Sequence, residues 1–242
     1  MTVKTIPQLL QTEYTTELSH PITTEALTIA ENAIIAPFVA NRKNYLYLKR
    51  TVDIVVSLLV IVLVLSWLLP IVAIWIRLDS RGPVFFSQKR VGRDGKLFRC
   101  LKLRTMRINE DADEKPAEEN DSRITRAGRF LRKTNIDELP QFLNVLVGHM
   151  SLTGPRPHML SDCNRFSFVI SSYRFRNLVK PGITGLAQIK GYHGPAGDYE
   201  GIVNRYYWDA VYVRKANMRL DLKILGRTVV ISGRTLVRAV WK

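Results

Sequence analysis

Two adjacent carboxylates, Asp137 and Glu138, stand among basic residues in RFLRKTNIDELPQFLNVLVGHMSLTGPRP, residues 129–157. Arg129, Arg132 and Lys133 precede them, and Arg156 follows between two prolines. Acids able to attack an electrophile, beside guanidiniums that grip oxyanions, make an arrangement for phosphate chemistry. Pro140 suits the first position of a helix, and Gln141 to Val147 read as a short apolar helix closed by Gly148. The pair then sits at or just before a helix N-terminus, whose dipole favours charged carboxylates. Sequence neighbours do not share a helix face, so the acids are expected to have separate jobs, one toward a substrate atom and one toward a metal or positioning group. Taken alone, the pair reads more simply as helix-capping acids partnered by Arg132 and Lys133.

The elements that must position these residues begin with an uncharged run from Ile54 to Ile76. As one helix it is about 35 Å long, enough to cross a hydrocarbon core. Ser66 and Pro70 interrupt its middle, and both flanks are basic, with Lys49 and Arg50 before and Arg77 and Arg81 after. A re-entrant helix–break–helix over residues 45–78, entering and leaving by one membrane face, satisfies both observations. A kinked spanning helix is the alternative. Residues 1–44 form an N-terminal extension without the pattern of a signal peptide.

Residues 79–226 read as a small catalytic domain, α/β but mainly helical. Gly82-Pro83, VFFSQ and RVGRDGKLF predict a turn and a basic hairpin, without P-loop spacing. LFRCLKLRTM alternates apolar with basic residues, as a strand presenting Arg99, Lys102 and Arg104 would. Residues 109–121 are an acidic loop whose Asp111-Ala-Asp113 reads as solvated. His158 to Val179 predicts a helix whose Phe166, Phe168, Tyr173 and Phe175 belong to a core. The glycines of VKPGITGLAQIKGYHG imply a tight loop with backbone close to a ligand. Residues 227–242 form a basic amphipathic tail suited to an anionic membrane surface.

The net charge of +15 requires a negative partner, and since residues 1–40 hold one Lys against four Glu, the remainder carries +18. Nucleic acid, anionic lipid and nucleotide diphosphate all fit such a field. Two scattered cysteines make neither a disulfide framework nor a zinc site.

Five ordered blocks, KRTVDIVVSLL, RLDSRGPVFFSQKRVGRDGKLFRCLKLRTM, RKTNIDELPQFLNVLVGHMSLTGPRP, VKPGITGLAQIKGYHG and DLKIL, resemble the bacterial sugar transferases, the monotopic polyprenyl-phosphate phosphoglycosyl transferases. The resemblance implies transfer of a sugar 1-phosphate from a UDP-sugar to polyprenyl (undecaprenyl) phosphate, releasing UMP, at the cytoplasmic leaflet of the bacterial inner membrane. It implies Asp137 as nucleophile, Glu138 as its dyad partner and Mg²⁺ ligand, and Lys102, Arg104, Arg132 and Arg156 facing phosphate. His193 stands where many members carry Arg, and Trp67 where many carry the helix-breaking Pro. The competing function is a non-catalytic membrane-anchored protein that binds nucleic acid or anionic lipid, which leaves the five blocks unexplained.

Overall fold

The computed structural model describes residues 42–108, 121–192 and 199–241; His193, the residues before 42 and the acidic loop 109–120 lie outside them. The uncharged run lies within one helix, α1 (Lys43–Asp79), of 37 residues. Where the sequence predicts a break, helical dihedrals continue, and the interruption takes the form of a π-helical turn over Ile61–Leu65. Pro70 offers no N–H and its ring crowds the carbonyl of Ser66, so the preceding turns widen. Ser66 Oγ donates to Val62 O (2.5 Å) and Trp67 Nε1 to Leu63 O (2.8 Å), satisfying carbonyls of the widened stretch. Ser66 thus bonds locally, within a turn that stays helical.

A stripe of α1 comprising Asp53, Ser57, Leu65, Val72 and Ile76 is buried, whereas Leu59, Val62, Leu63, Trp67, Ile71, Ile74 and Leu78 are exposed. Both ends of the helix are tied to the same body. Near the start, Arg50 donates to Val145 O (2.6 Å) and Leu146 O (2.8 Å), and Asp53 accepts from Ser151 Oγ (3.0 Å) and Leu152 N (2.9 Å). At the far end, Asp79 accepts from Ala127 N (2.9 Å), and Val72 and Ile76 pack with Val84, Leu103 and Leu131. Each fully buried aliphatic side chain contributes about 2 kcal/mol, so apolar packing holds the second limb as firmly as polar bonds hold the first.

The rest is mostly helical with two small sheets. The expected hairpin is present: β1 (Phe85–Val91) pairs antiparallel with β2 (Leu97–Leu103), and Asp94 and Gly95 take positive φ in its turn. Thr125 caps α2 (Arg126–Thr134), and a 3-10 turn, Ile136–Glu138, leads to α3 (Gln141–Val147). Pro140 is the N-cap of α3 and Gly148, with φ +98°, its C-cap, much as the sequence predicts. Next, β3 (Ser151–Thr153) pairs in parallel with β4 (Gly182–Thr184).

The helix expected from His158 to Val179 is two pieces, α4 (Leu160–Val169) and a 3-10 helix, Tyr173–Leu178, separated where Ile170 turns extended with φ −132° and ψ 108°. Phe166, Tyr173 and Phe175 are buried as expected, but Phe168 is exposed. In the glycine loop a Cβ on Gly182 would lie 2.2 Å from Gly154 N and one on Gly185 2.2 Å from Gly154 O, so the close approach that these two glycines permit is of backbone to backbone. Beyond α5 (Leu186–Ile189) and α6 (Tyr199–Lys215), α7 (Met218–Val240) begins at an Asn217 cap and continues through the boundary expected at 226/227. Ile224 anchors it in the core, while Leu222, Val229, Val230, Leu236 and Val237 are exposed.

Candidate active site

Asn135 decides where the acidic pair points. It ends α2 with φ +58°, a left-handed conformation that Asn tolerates, and turns the chain into the 3-10 turn carrying both acids. Asp137 and Glu138 therefore precede the α3 N-terminus and are buried, with 7% and 9% exposure. Glu138 Oε1 meets Lys102 Nζ of β2 at 2.7 Å and Arg156 Nη2 at 2.6 Å, while Oε2 has one longer contact, to Arg156 Nη1 at 3.2 Å. The ammonium and the bidentate fork come from segments 36 and 18 residues away, so tertiary folding alone assembles this cluster.

Asp137 has no ion-pair partner within salt-bridge distance among the described residues. Its titration is set first by burial, which pushes it up to about 6; Lys102 and Arg132 pull it down and Glu138 pushes it further up. Glu138 is the reverse case. Burial opposes its charge, but Arg156 and Lys102 outweigh that and hold its carboxyl well below the usual range. Two neighbouring acids thus have opposite environments, the pattern that separates acid, base and nucleophile roles.

Arg132 Nε donates to Thr105 Oγ1 (2.8 Å), and its charge favours ionised Asp137. Arg104 is not brought to the pair. Its guanidinium donates to Ser80 O (2.7 Å), Ile76 O (3.4 Å) and Arg81 O, closing the C-terminus of α1, where orphan carbonyls need donors. Arg104 follows the last residue of β2, so strand alternation cannot set its direction.

Three residues around the site escape the sequence reading. Arg176 Nη2 donates to Arg156 O (2.6 Å) and is paired with Asp209 at 2.8 Å, both side chains nearly inaccessible. Arg90 Nη1 donates to Pro157 O (3.3 Å). Backbone bonds to the buried Arg176 and the half-buried Arg90, together with Gly182 N donating to Pro155 O (3.0 Å), thus hold the Pro-Arg-Pro segment from both sides. Arg176 and Asp209 lie 33 residues apart, and no local pattern links them.

The family model for bacterial sugar transferases matches residues 44–234. The chain belongs to this family. It is 46% identical over 75% of its length to the UDP-glucose:undecaprenyl-phosphate glucose-1-phosphate transferase of Klebsiella pneumoniae, covering 39% of that protein. It is 44% identical over 75% of its length to the protein so named from Caulobacter vibrioides, covering 68% of it. Against the exopolysaccharide production protein PSS of Rhizobium leguminosarum identity is 42%, over 76% of the chain and 94% of the relative. The chain thus spans about two fifths of the first curated relatives it matches.

Proposed function

We propose that this bacterial sugar transferase moves a sugar 1-phosphate from a UDP-sugar to a polyprenyl phosphate through a covalent Asp137 intermediate. The observation that carries this is a buried, unpaired Asp137 beside a Glu138 held by two cations. The relatives' names support the substrate classes. In the first step an Asp137 oxygen bonds to the sugar-bearing phosphorus and the bond to the bridging oxygen breaks, so that UMP leaves with that oxygen. In the second, a polyprenyl phosphate oxygen attacks the same phosphorus and the carboxylate leaves, regenerated. A carboxylate needs no deprotonation when ionised and divides one hard displacement into two. Arg156 and Lys102, brought there by Glu138, would stabilise the phosphoryl oxygens.

The residues present fit Mg²⁺ in the manner of an ion carried on substrate phosphates. Such an ion keeps most of its waters and takes one or two carboxylates. Among the described residues no group of three potential ligands occurs, but Glu138 Oε2 would suffice as the protein's carboxylate, and bound Mg²⁺ would neutralise diphosphate charge. The test of the chemistry uses UDP-sugars without lipid: up to one equivalent of UMP per enzyme is expected, with a sugar phosphate on Asp137 and ping-pong kinetics once lipid is added. Turnover with lipid, but no label and sequential kinetics, would overturn the covalent mechanism.

The same reading places α1 as a re-entrant seat in the cytoplasmic leaflet of the inner membrane. Its support is that both ends of α1 bond to one polar body while the face between them is apolar and exposed. The apolar stripe and Arg219, Lys223, Arg227, Arg234 and Arg238 of α7 suit the same surface. In a variant lacking Cys100 and Cys163, single cysteines at Thr5 and at Ser122 should both be shielded from an impermeant thiol reagent in intact cells. Labelling at Thr5 alone would instead indicate a spanning helix.

A further inference from the structure

A second cationic site lies away from the acidic pair, where α1 meets β3 and the segment from Leu178 to Lys180. A cleft of about 160 Å³ there is lined by Arg50, Arg93 and Lys180 and walled by Leu46, Val179 and Val213. Arg50 Nη2 and Lys180 Nζ each lie 3.4 Å from the point that a Cβ on Gly148 would occupy, so the two cationic tips are within twice that distance of each other. Among the described residues neither has a carboxylate within salt-bridge distance. Asp53, the acid lining the cleft, has Oδ1 taken by Ser151 and Leu152. Burial, then Arg50, lowers the affinity of Lys180 for its proton, and the opposing charge of Asp53 offsets this only in part, while Arg93 pairs with the exposed Asp94 at 3.3 Å.

We propose that Arg50, Arg93 and Lys180 form a binding site for a lipid-borne phosphate, that of an anionic phospholipid headgroup. Arg50 is four residues before the uncharged run, so on the proposed seating of α1 the cleft opens at headgroup depth. Its apolar wall suits the ester region below a headgroup, whereas a free anion would gain nothing from it. None of the three cations bonds to Asp137 or Glu138, so the site is separate from the chemistry. A lipid held here would fix the height of the catalytic body above the bilayer. The inference rests on the membrane seating and not on the aspartyl mechanism.

The test is native mass spectrometry of the full chain released from phosphatidylcholine nanodiscs containing phosphatidylglycerol, with competition by inorganic phosphate or polyprenyl phosphate. Wild type should retain one phosphatidylglycerol. Lys180→Gln/Arg93→Gln should bind it about 30-fold more weakly, about fivefold for each charge removed. Arg234→Gln/Arg238→Gln, with the same charge change, should retain it, and Lys180→Arg should restore most of the binding. UMP release from UDP-sugar should remain in all three variants. Equal loss in both double variants would mean diffuse attraction and overturn the site. Displacement by inorganic phosphate would make it a free-anion site, and displacement by polyprenyl phosphate alone an acceptor subsite; either overturns the phospholipid assignment. Wild type that fails to enter nanodiscs would overturn the seating and this site with it, whereas entry without a retained lipid would overturn the site alone.

Discussion

Asp137→Asn should give a protein that has lost turnover yet unfolds at a higher temperature than wild type at pH 7. The loss of activity follows from the removal of a nucleophile, an effect of about 10⁴-fold or more in enzymes of covalent mechanism. The gain in stability follows from burial. The carboxyl of Asp137 is raised from 3.8 to about 6, so above pH 6 the folded state holds a charge that it would rather not. The sign is that of a group binding its proton more tightly when folded: stability falls as pH rises from 3.8 through about 6 and is level beyond. A neutral isostere removes a cost of the order of 3 kcal/mol at pH 7. Thermal unfolding in detergent at pH 5 and 7 tests this, with the gap between variant and wild type wider at pH 7. In wild type the UMP burst should fall on the acid side with a midpoint near 6, as the nucleophile becomes protonated. A midpoint near 4, with no stabilisation in Asp137→Asn, would place the carboxylate in water and sink the account of the site.

Glu138→Gln, one residue away and equally isosteric, should do the opposite to stability. Glu138 is the counter-charge for Lys102 and Arg156, and its loss leaves two partly buried cations without a carboxylate. Breaking a buried pair by removing one partner costs about 3 kcal/mol, so the unfolding midpoint should drop by several degrees. Because the Glu138 carboxyl is held well below its ordinary value, its contribution is present above the unfolded value of 4.5 and lost only as pH falls below that. The difference between wild type and Glu138→Gln should therefore shrink in acid, as it does for Asp137→Asn, but from the opposite sign at pH 7. Activity should fall as well, since Lys102 and Arg156 lose the group that orients them, and raised Mg²⁺ should restore part of it if Glu138 holds the ion. Equal midpoints for wild type and Glu138→Gln would mean that the Lys102 and Arg156 contacts contribute nothing to the fold.

Local sequence was sufficient wherever a short-range rule decides the conformation. Pro140 and Gly148 bracket α3 as their fixed and positive φ values require, the Asp94-Gly95 turn closes the β1–β2 hairpin, and the acidic pair with its basic neighbours stands out by composition. The uncharged run likewise marks α1, since twenty-three residues without charge have few other uses. Local rules failed where two remote segments compete for one side chain. Arg104 has the same sequence credentials as Lys102, but the C-terminus of α1 supplies three carbonyls that it can reach, whereas Lys102 faces Glu138. Gly182 and Gly185 look like ligand-loop glycines, yet the close approach that they permit is to the backbone of Gly154. Pro70 marks a disturbance without saying whether the helix breaks or widens, because Ser66 and Trp67 can satisfy the affected carbonyls from within the helix. The division of labour in the dyad is the clearest case. Asp137 and Glu138 are equivalent in sequence, and only the arrival of Lys102 and Arg156 on one of them leaves the other buried and unpaired. Electrostatic environment is a property of packing across long loops, and no spacing in the chain encodes it.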